Sequence, residues 1–154
     1  VKSNLAVHFS SKSNDWATPQ WLFDELNAKY GPLALDVCSS NGNGKCPFNI
    51  EYPRSNGLEL SWTKFGNRTA WMNPPYGREI GKWVKKAYEE SQKGCLVVCL
   101  LPSRTDTKWF HNYIYNKQNV AVQFISGRLK FGAAVNSAPF PSMVVVFNPP
   151  KEKA

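Results

Sequence analysis

Two hydrophobic patterns alternate along this chain of 154 residues. One is the short, mainly apolar run, at 33–38, 70–72, 95–101, 120–125 and 143–147. Such runs predict strands, and the continuous 95–101 a central parallel one. The other pattern has helical spacing. Ile80, Trp83, Val84, Ala87 and Tyr88 recur on one face while Lys82, Lys85, Lys86 and Glu89 fall opposite. This predicts an amphipathic helix that ends at Gly94. Leu22, Phe23 and Leu26 give the buried face of another helix. Thr18 is its expected N-cap, Pro19 its first helical residue, and Gly31-Pro32 its stop. Residues 106–116, with Trp109, Phe110, Tyr113 and Ile114, predict a third helix. The stretch 39–69 is rich in Asn, Gly and Ser, and its two strand candidates are 48–52 and 58–62. The link 126–142 shows no helical pattern, so the strands on either side of it should pair antiparallel.

Strands alternating with helices predict an α/β sheet with helices on both faces, mostly parallel and with an antiparallel C-terminal edge. No internal repeat is visible, and 1–154 reads as a single domain with a flexible polar lead at 1–14 and no separate recognition domain. Hydrophobic residues make up 42% of the chain and aromatic ones 14%, which excludes a disordered protein. No apolar run approaches the ~18 residues of a membrane span. A secretory leader pattern is also absent from the start of the sequence, so the expected setting is cytoplasmic. Cys38, Cys46, Cys95 and Cys99 form no metal-ligand spacing, so no metal is expected. Reduced, mostly buried thiols fit that setting. Lys and Arg number 19 against 11 acidic residues, a net charge of +8. A polyanion such as a nucleic acid is the natural partner of that charge.

The candidate chemistry lies at Asn73-Pro74-Pro75-Tyr76, between the apolar run ending at Met72 and the long helix. In open α/β sheets ligands bind beyond the carboxyl ends of strands. Asp36 ends the first strand and Asn73 the expected fourth. If those strands are neighbours, their ends lie roughly 5 Å apart. The Asn73 side-chain oxygen and the Pro74 carbonyl are two acceptors, suited to the two N–H groups of a planar amine such as that of adenine. Amide oxygens are too weakly basic to take a proton first, so such a site acts by orientation and electrostatics. Pro74 and Pro75 fix their own backbone angles. Tyr76 offers a ring on which a flipped base can stack, worth ~1–3 kcal/mol. Asn148-Pro149-Pro150 also follows an apolar strand, but Lys151 replaces the tyrosine and no helix follows. That copy reads as tail.

Across nearly its whole length the chain resembles the phage-type DNA N-6-adenine methyltransferase (Dam) family. The resemblance is carried by Asp15-Trp16-Ala17-Thr18-Pro19-Gln20-Trp21-Leu22-Phe23, Leu35-Asp36-Val37-Cys38-Ser39 and Trp71-Met72-Asn73-Pro74-Pro75-Tyr76-Gly77. Two later blocks match too, Leu100-Leu101-Pro102-Ser103-Arg104-Thr105-Asp106-Thr107 and Gly127-Arg128-Leu129-Lys130-Phe131. It implies a Rossmann-like S-adenosylmethionine-dependent methyltransferase fold, S-adenosyl-L-methionine as methyl donor and adenine N6 in DNA as acceptor. A phage or prophage protein of this kind works in the cytoplasm of its bacterial host. By similarity, Trp16, Thr18 and Pro19 hold the methionine end of the cofactor, and Asp36, Cys38 and Ser39 lie along it. Asn56 stands where relatives tend to carry Asp, and could bond the cofactor adenine. Where adenine methyltransferases more broadly often have a Gly-x-Gly turn, this chain has Cys38-Ser39-Ser40-Asn41-Gly42-Asn43-Gly44. Arg78, Arg104, Arg128 and Lys130 are the expected DNA contacts. Two other readings stand beside this one: methyl transfer to RNA or to protein glutamine, and a non-catalytic DNA-binding protein on a degenerate methyltransferase fold.

Overall fold

The computed structural model describes residues 16–40, 42–132 and 136–151. The expected flexible lead at 1–14 lies outside them. Six strands form one sheet: β1 (Leu35–Ser39), β2 (Phe48–Glu51), β3 (Thr69–Met72), β4 (Leu96–Pro102), β5 (Val120–Phe124) and β6 (Ser142–Phe147). Among the described residues three α-helices accompany it: α1 (Gln20–Tyr30), α2 (Ile80–Gln92) and α3 (Lys108–Tyr113). The strand order is β2-β1-β3-β4-β6-β5. β2, β1, β3 and β4 run parallel. β6 is slotted antiparallel between β4 and β5. The parallel body and antiparallel C-terminal edge follow the pattern of apolar runs.

Burial explains that pattern. Every residue of β6 is buried, as are Val97 to Pro102 of β4, because both strands are covered on two sides. β5 is the sheet edge, and its residues 121–124 are exposed. The moderate helix α2 presses Ile80, Trp83, Val84 and Ala87 into the core. Gly57 is required at its position: a Cβ there would lie 2.3 Å from the Val37 carbonyl and 3.1 Å from the Trp83 ring.

Three expectations change. Thr18 is not a helix cap. Pro19 is the N-cap of α1, and its carbonyl accepts from the N–H groups of Leu22 and Phe23. The 58–62 stretch is no strand. Asn56 Oδ1 accepts the Leu58 N–H at 3.0 Å, the Trp62 indole donates to the Gly57 carbonyl at 2.9 Å, and the Trp62 N–H donates to Glu90 Oε1 at 2.7 Å. Side chains thus satisfy this backbone in place of a ladder. β3 is therefore the third strand, not the fourth. The third helix is also shorter than the expected 106–116. Thr107 caps it by accepting the Phe110 N–H at 3.3 Å, and Asn116 at φ 55° closes the following turn.

Candidate active site

β1 and β3 are neighbours, with Asp36 in register with Trp71. Their carboxyl ends therefore open on the same rim, as a ligand site of an open sheet requires. Asn73 follows directly after β3. Its Nδ2 donates to the Trp16 carbonyl and, at 2.9 Å, to Thr18 Oγ1. A backbone carbonyl only accepts, so the nitrogen end of the amide must face it. Asn73 Oδ1 is thereby turned away; it is buried and has no hydrogen-bond partner. Leaving an acceptor so costs about 1–3 kcal/mol, and such an exception calls for a reason. Pro74 is buried and Pro75 half-buried beside it.

The short strap 16–18 is held from both sides. Trp16 packs edge-on to Phe131 at 5.4 Å and Phe140 at 5.1 Å between ring centroids. The Gly132 N–H donates to the Ala17 carbonyl at 2.9 Å. Thr18, with its neighbour Pro19, is buried.

Asp36 does not end β1, as the sequence suggested, but is its second residue, and at only 3% exposed it is not a solvated loop acid. Its two oxygens accept the Cys38 N–H at 3.2 Å and the Lys45 N–H at 3.0 Å. It thus ties the loop after β1 into a wall. Burial pushes its carboxyl up to about 6, against the pull of those two N–H groups and the Lys45 ammonium. The same burial raises the Cys46 thiol to about 12, helped by nearby Asp36. Cys95 also rises to about 12 and Cys99 well above its usual value, so these thiols are structural. Among the described residues no three His, Cys, Asp or Glu side chains cluster as a metal site would need.

Two clefts meet at this rim. The larger, about 720 Å³, is lined by Trp16, Thr18, Asp36, Lys45 and Asn73 among others. The smaller, about 370 Å³, includes Tyr52, Pro53, Pro75 and Arg78. Cys38, Ser39, Ser40 and Asn73 line both. Asn56 lines neither and is spent on its own turn.

Tyr76 sits differently from the ring platform expected. It is 3% exposed, its hydroxyl donates to the Leu100 carbonyl at 2.9 Å, and its ring meets Phe140 and Phe131 edge-on. Burial raises its phenol well above the usual value. Arg78, Arg104, Arg128 and Lys130 are all exposed. β5 runs parallel to β4, since both oppose β6, so the chain leaves β3, β4 and β5 toward the same rim before reaching these residues. Asn148 follows antiparallel β6 and sits instead at the opposite rim, where its N–H donates to the Asn119 carbonyl at 2.9 Å.

Sequence reasoning missed Lys45, whose Nζ donates to Gln20 Oε1 at 2.7 Å, and the wall made by Tyr52 and Pro53. Lys45 had a signal, being the lone charge in an Asn/Gly loop. Phe131 was legible too, since it and Leu129 are buried while Lys130 between them faces out. Tyr52 carried no signal.

A parallel sheet body with an antiparallel strand near its edge, and a cleft where β1 meets an Asn-Pro-Pro-Tyr strand end, define the class as a methyltransferase of the S-adenosylmethionine-dependent architecture. The chain belongs to the DNA N-6-adenine-methyltransferase (Dam) family, whose model matches residues 6–154. It is similar to the DNA N-6-adenine-methyltransferase of Haemophilus phage HP1 (strain HP1c1), 30% identical over 97% of this chain and 85% of that protein. It is also similar to the DNA N-6-adenine-methyltransferase of Escherichia phage T1, 35% identical over 62% of this chain but only 38% of that protein. The resemblance read from the sequence holds, and the enzyme class is DNA adenine-N6 methyltransferase.

Proposed function

We propose that this enzyme extrudes an adenine from DNA toward Asn73 and transfers a methyl group from S-adenosylmethionine to its N6. The observation that carries the reading is the buried, unpartnered Asn73 Oδ1 at the end of β3. It awaits a donor, and the exocyclic amine of adenine offers two N–H groups. Asn73 Oδ1 accepts one and the Pro74 carbonyl the other. These bonds orient the nitrogen so that its lone pair is directed at an electrophile. Neither oxygen is basic enough to remove a proton beforehand. The proton leaves N6 only after the methyl has arrived, when the nitrogen is cationic. Pro74 and Pro75 hold the acceptors still.

The clefts suit the cofactor. A volume of about 720 Å³ lies within the usual range for a ligand site. The Thr18 hydroxyl and the Lys45 ammonium can donate to its carboxylate, with Trp16 and Pro19 flanking that end. Asp36, Cys38 and Ser39 lie along the middle, and the smaller cleft past Tyr52 continues the space for the nucleoside. When bound, S-adenosylmethionine supplies an electrophilic methyl on a sulfonium. Tyr76, anchored through its hydroxyl, is the stacking ring for the flipped base. Phe131 and Phe140 cover its ring and also pack on Trp16, so they must tilt off Tyr76 without leaving Trp16. Arg78, Arg104, Arg128 and Lys130 hold DNA phosphates around the mouth.

The test is methyl transfer from labelled S-adenosylmethionine to DNA, RNA and protein glutamine, with the methylated product identified by mass spectrometry. N6-methyladenine in DNA is the expected product. Asn73→Ala should lower the rate by at least 1,000-fold, on the order of 4 kcal/mol, with cofactor affinity within a few-fold. Equal loss of rate and cofactor affinity would show that Asn73 serves the cofactor and not the base.

A further inference from the structure

The Asn73 amide is held in one of its two orientations, and the holder is not part of its own motif. We propose that Thr18 and the Trp16 carbonyl form an amide lock that presents Asn73 Oδ1 to the substrate and excludes a carboxylate at position 73. Thr18 is then a positioning residue. The inference rests on the proposed role of Asn73 and deepens it.

The terminal torsion of an Asn side chain is broad and nearly two-fold, so a free amide presents its oxygen and its NH₂ in turn. Facing an amine, the wrong orientation opposes donor to donor. Here two acceptors remove that freedom. The Trp16 carbonyl can only accept, and Thr18 Oγ1 accepts at 2.9 Å. Thr18 keeps its own hydrogen for an acceptor in the larger cleft, which links that cleft to the acceptor geometry. The lock is itself held by the Gly132–Ala17 hydrogen bond and by Phe131 and Phe140 around the Trp16 ring. An aspartate at 73 would set a carboxylate oxygen against the Trp16 carbonyl with no hydrogen between them. That arrangement repels, so the carboxylate swings out of line. A protonated aspartic acid, in contrast, can donate its O–H to Trp16 and leave its carbonyl oxygen facing the base, as Asn73 does.

The experiment measures single-turnover methylation of duplex DNA, with S-adenosylmethionine and DNA both saturating, in Thr18→Val, Thr18→Ser and Asn73→Asp. Cofactor and DNA affinities and thermal melts are measured alongside. Thr18→Val should lose about 10- to 100-fold in rate, beyond any change in affinity, and Thr18→Ser should recover most of that loss. Asn73→Asp should be at least 100-fold slow at pH 8 and gain rate as the pH is lowered toward 6. Asp36 and Lys45 line the larger cleft and Arg78 and Glu79 the smaller. All four are common to wild type and Asn73→Asp, so the wild-type profile is the control for them. A wild-type rate in Thr18→Val, or Asn73→Asp within threefold of wild type at pH 8, overturns the lock. If Thr18→Val does not fold, Thr18→Ser and the pH profile of Asn73→Asp decide alone. If Asn73→Ala itself methylates DNA at the wild-type rate, the proposed function fails, whereas an inactive Asn73→Ala beside an unimpaired Thr18→Val removes the lock only.

Discussion

Asp36 is ionisable in a place that resists its charge. Burial lifts its pKa from 3.8 to about 6. Between those values the folded chain holds a proton that the unfolded chain has released, so stability falls as pH rises through the window. At neutral pH the cost is on the order of 3 kcal/mol. Thermal melts of wild type and Asp36→Asn should show it. Across pH 4 to 7 wild type should lose stability relative to the variant, and a constant difference between them would contradict the assignment. Such a cost agrees with the place beside the cofactor proposed for Asp36. The legible part of the site was of this residue-scale kind. Asn73 announces itself because it ends an apolar run, and Asp36 because it is the lone charge inside one. Thr18 was misread as a helix cap because a local signal was weighed without the amide that reaches it from 55 positions away.

Glu90 shows the reverse behaviour, and its effect belongs to an element. Its side chain is buried on α2 and meets Lys86 at 3.0 Å, Lys93 at 3.6 Å and the Trp62 N–H at 2.7 Å. Burial pushes its carboxyl up, but the Trp62 N–H and the two lysines pull harder, and the pKa ends below its usual value. The stability it supplies is therefore present above the usual carboxylate pKa and lost as pH falls through the lowered one. Glu90→Ala should cost about 1–3 kcal/mol by orphaning the Trp62 N–H. Glu90→Gln, which keeps an acceptor there, should cost less, and urea denaturation of both variants checks the order. The same contact explains why 58–62 defeats a sequence reading. Leu58, Leu60 and Trp62 alternate as a strand would, yet the Leu58 N–H is spent on Asn56, the Trp62 indole on Gly57 and the Trp62 N–H on Glu90. By contrast α2, β4 and β6 were legible because each buries a long, regular apolar set.

At the scale of the whole molecule, charge and strand direction decide what the enzyme meets. A net charge of +8, with Arg78 lining the smaller cleft and Arg104, Arg128 and Lys130 exposed on the segments that follow β4 and β5, should make DNA binding weaken steeply with salt. Each phosphate contact contributes ~0.9 to the slope of log affinity against log salt. Arg104→Ala should therefore flatten that slope by about one unit for every sequence tested; an unchanged slope would remove Arg104 from the interface. Strand direction separates the two Asn-Pro-Pro triplets, which periodicity alone cannot do. The fold class was legible from the order of apolar runs, whereas the cleft was not, because its walls come from both ends of the chain. Trp16 and Thr18 reach Asn73 over 57 and 55 positions, and the Phe131 and Gly132 segment closes on them from farther still. Contacts between distant positions cost the most loop entropy and reward the chain late. The strap proposed to aim Asn73 is tied to it only through such distant contacts, so local opening of 16–18 should silence methylation while the sheet stays intact.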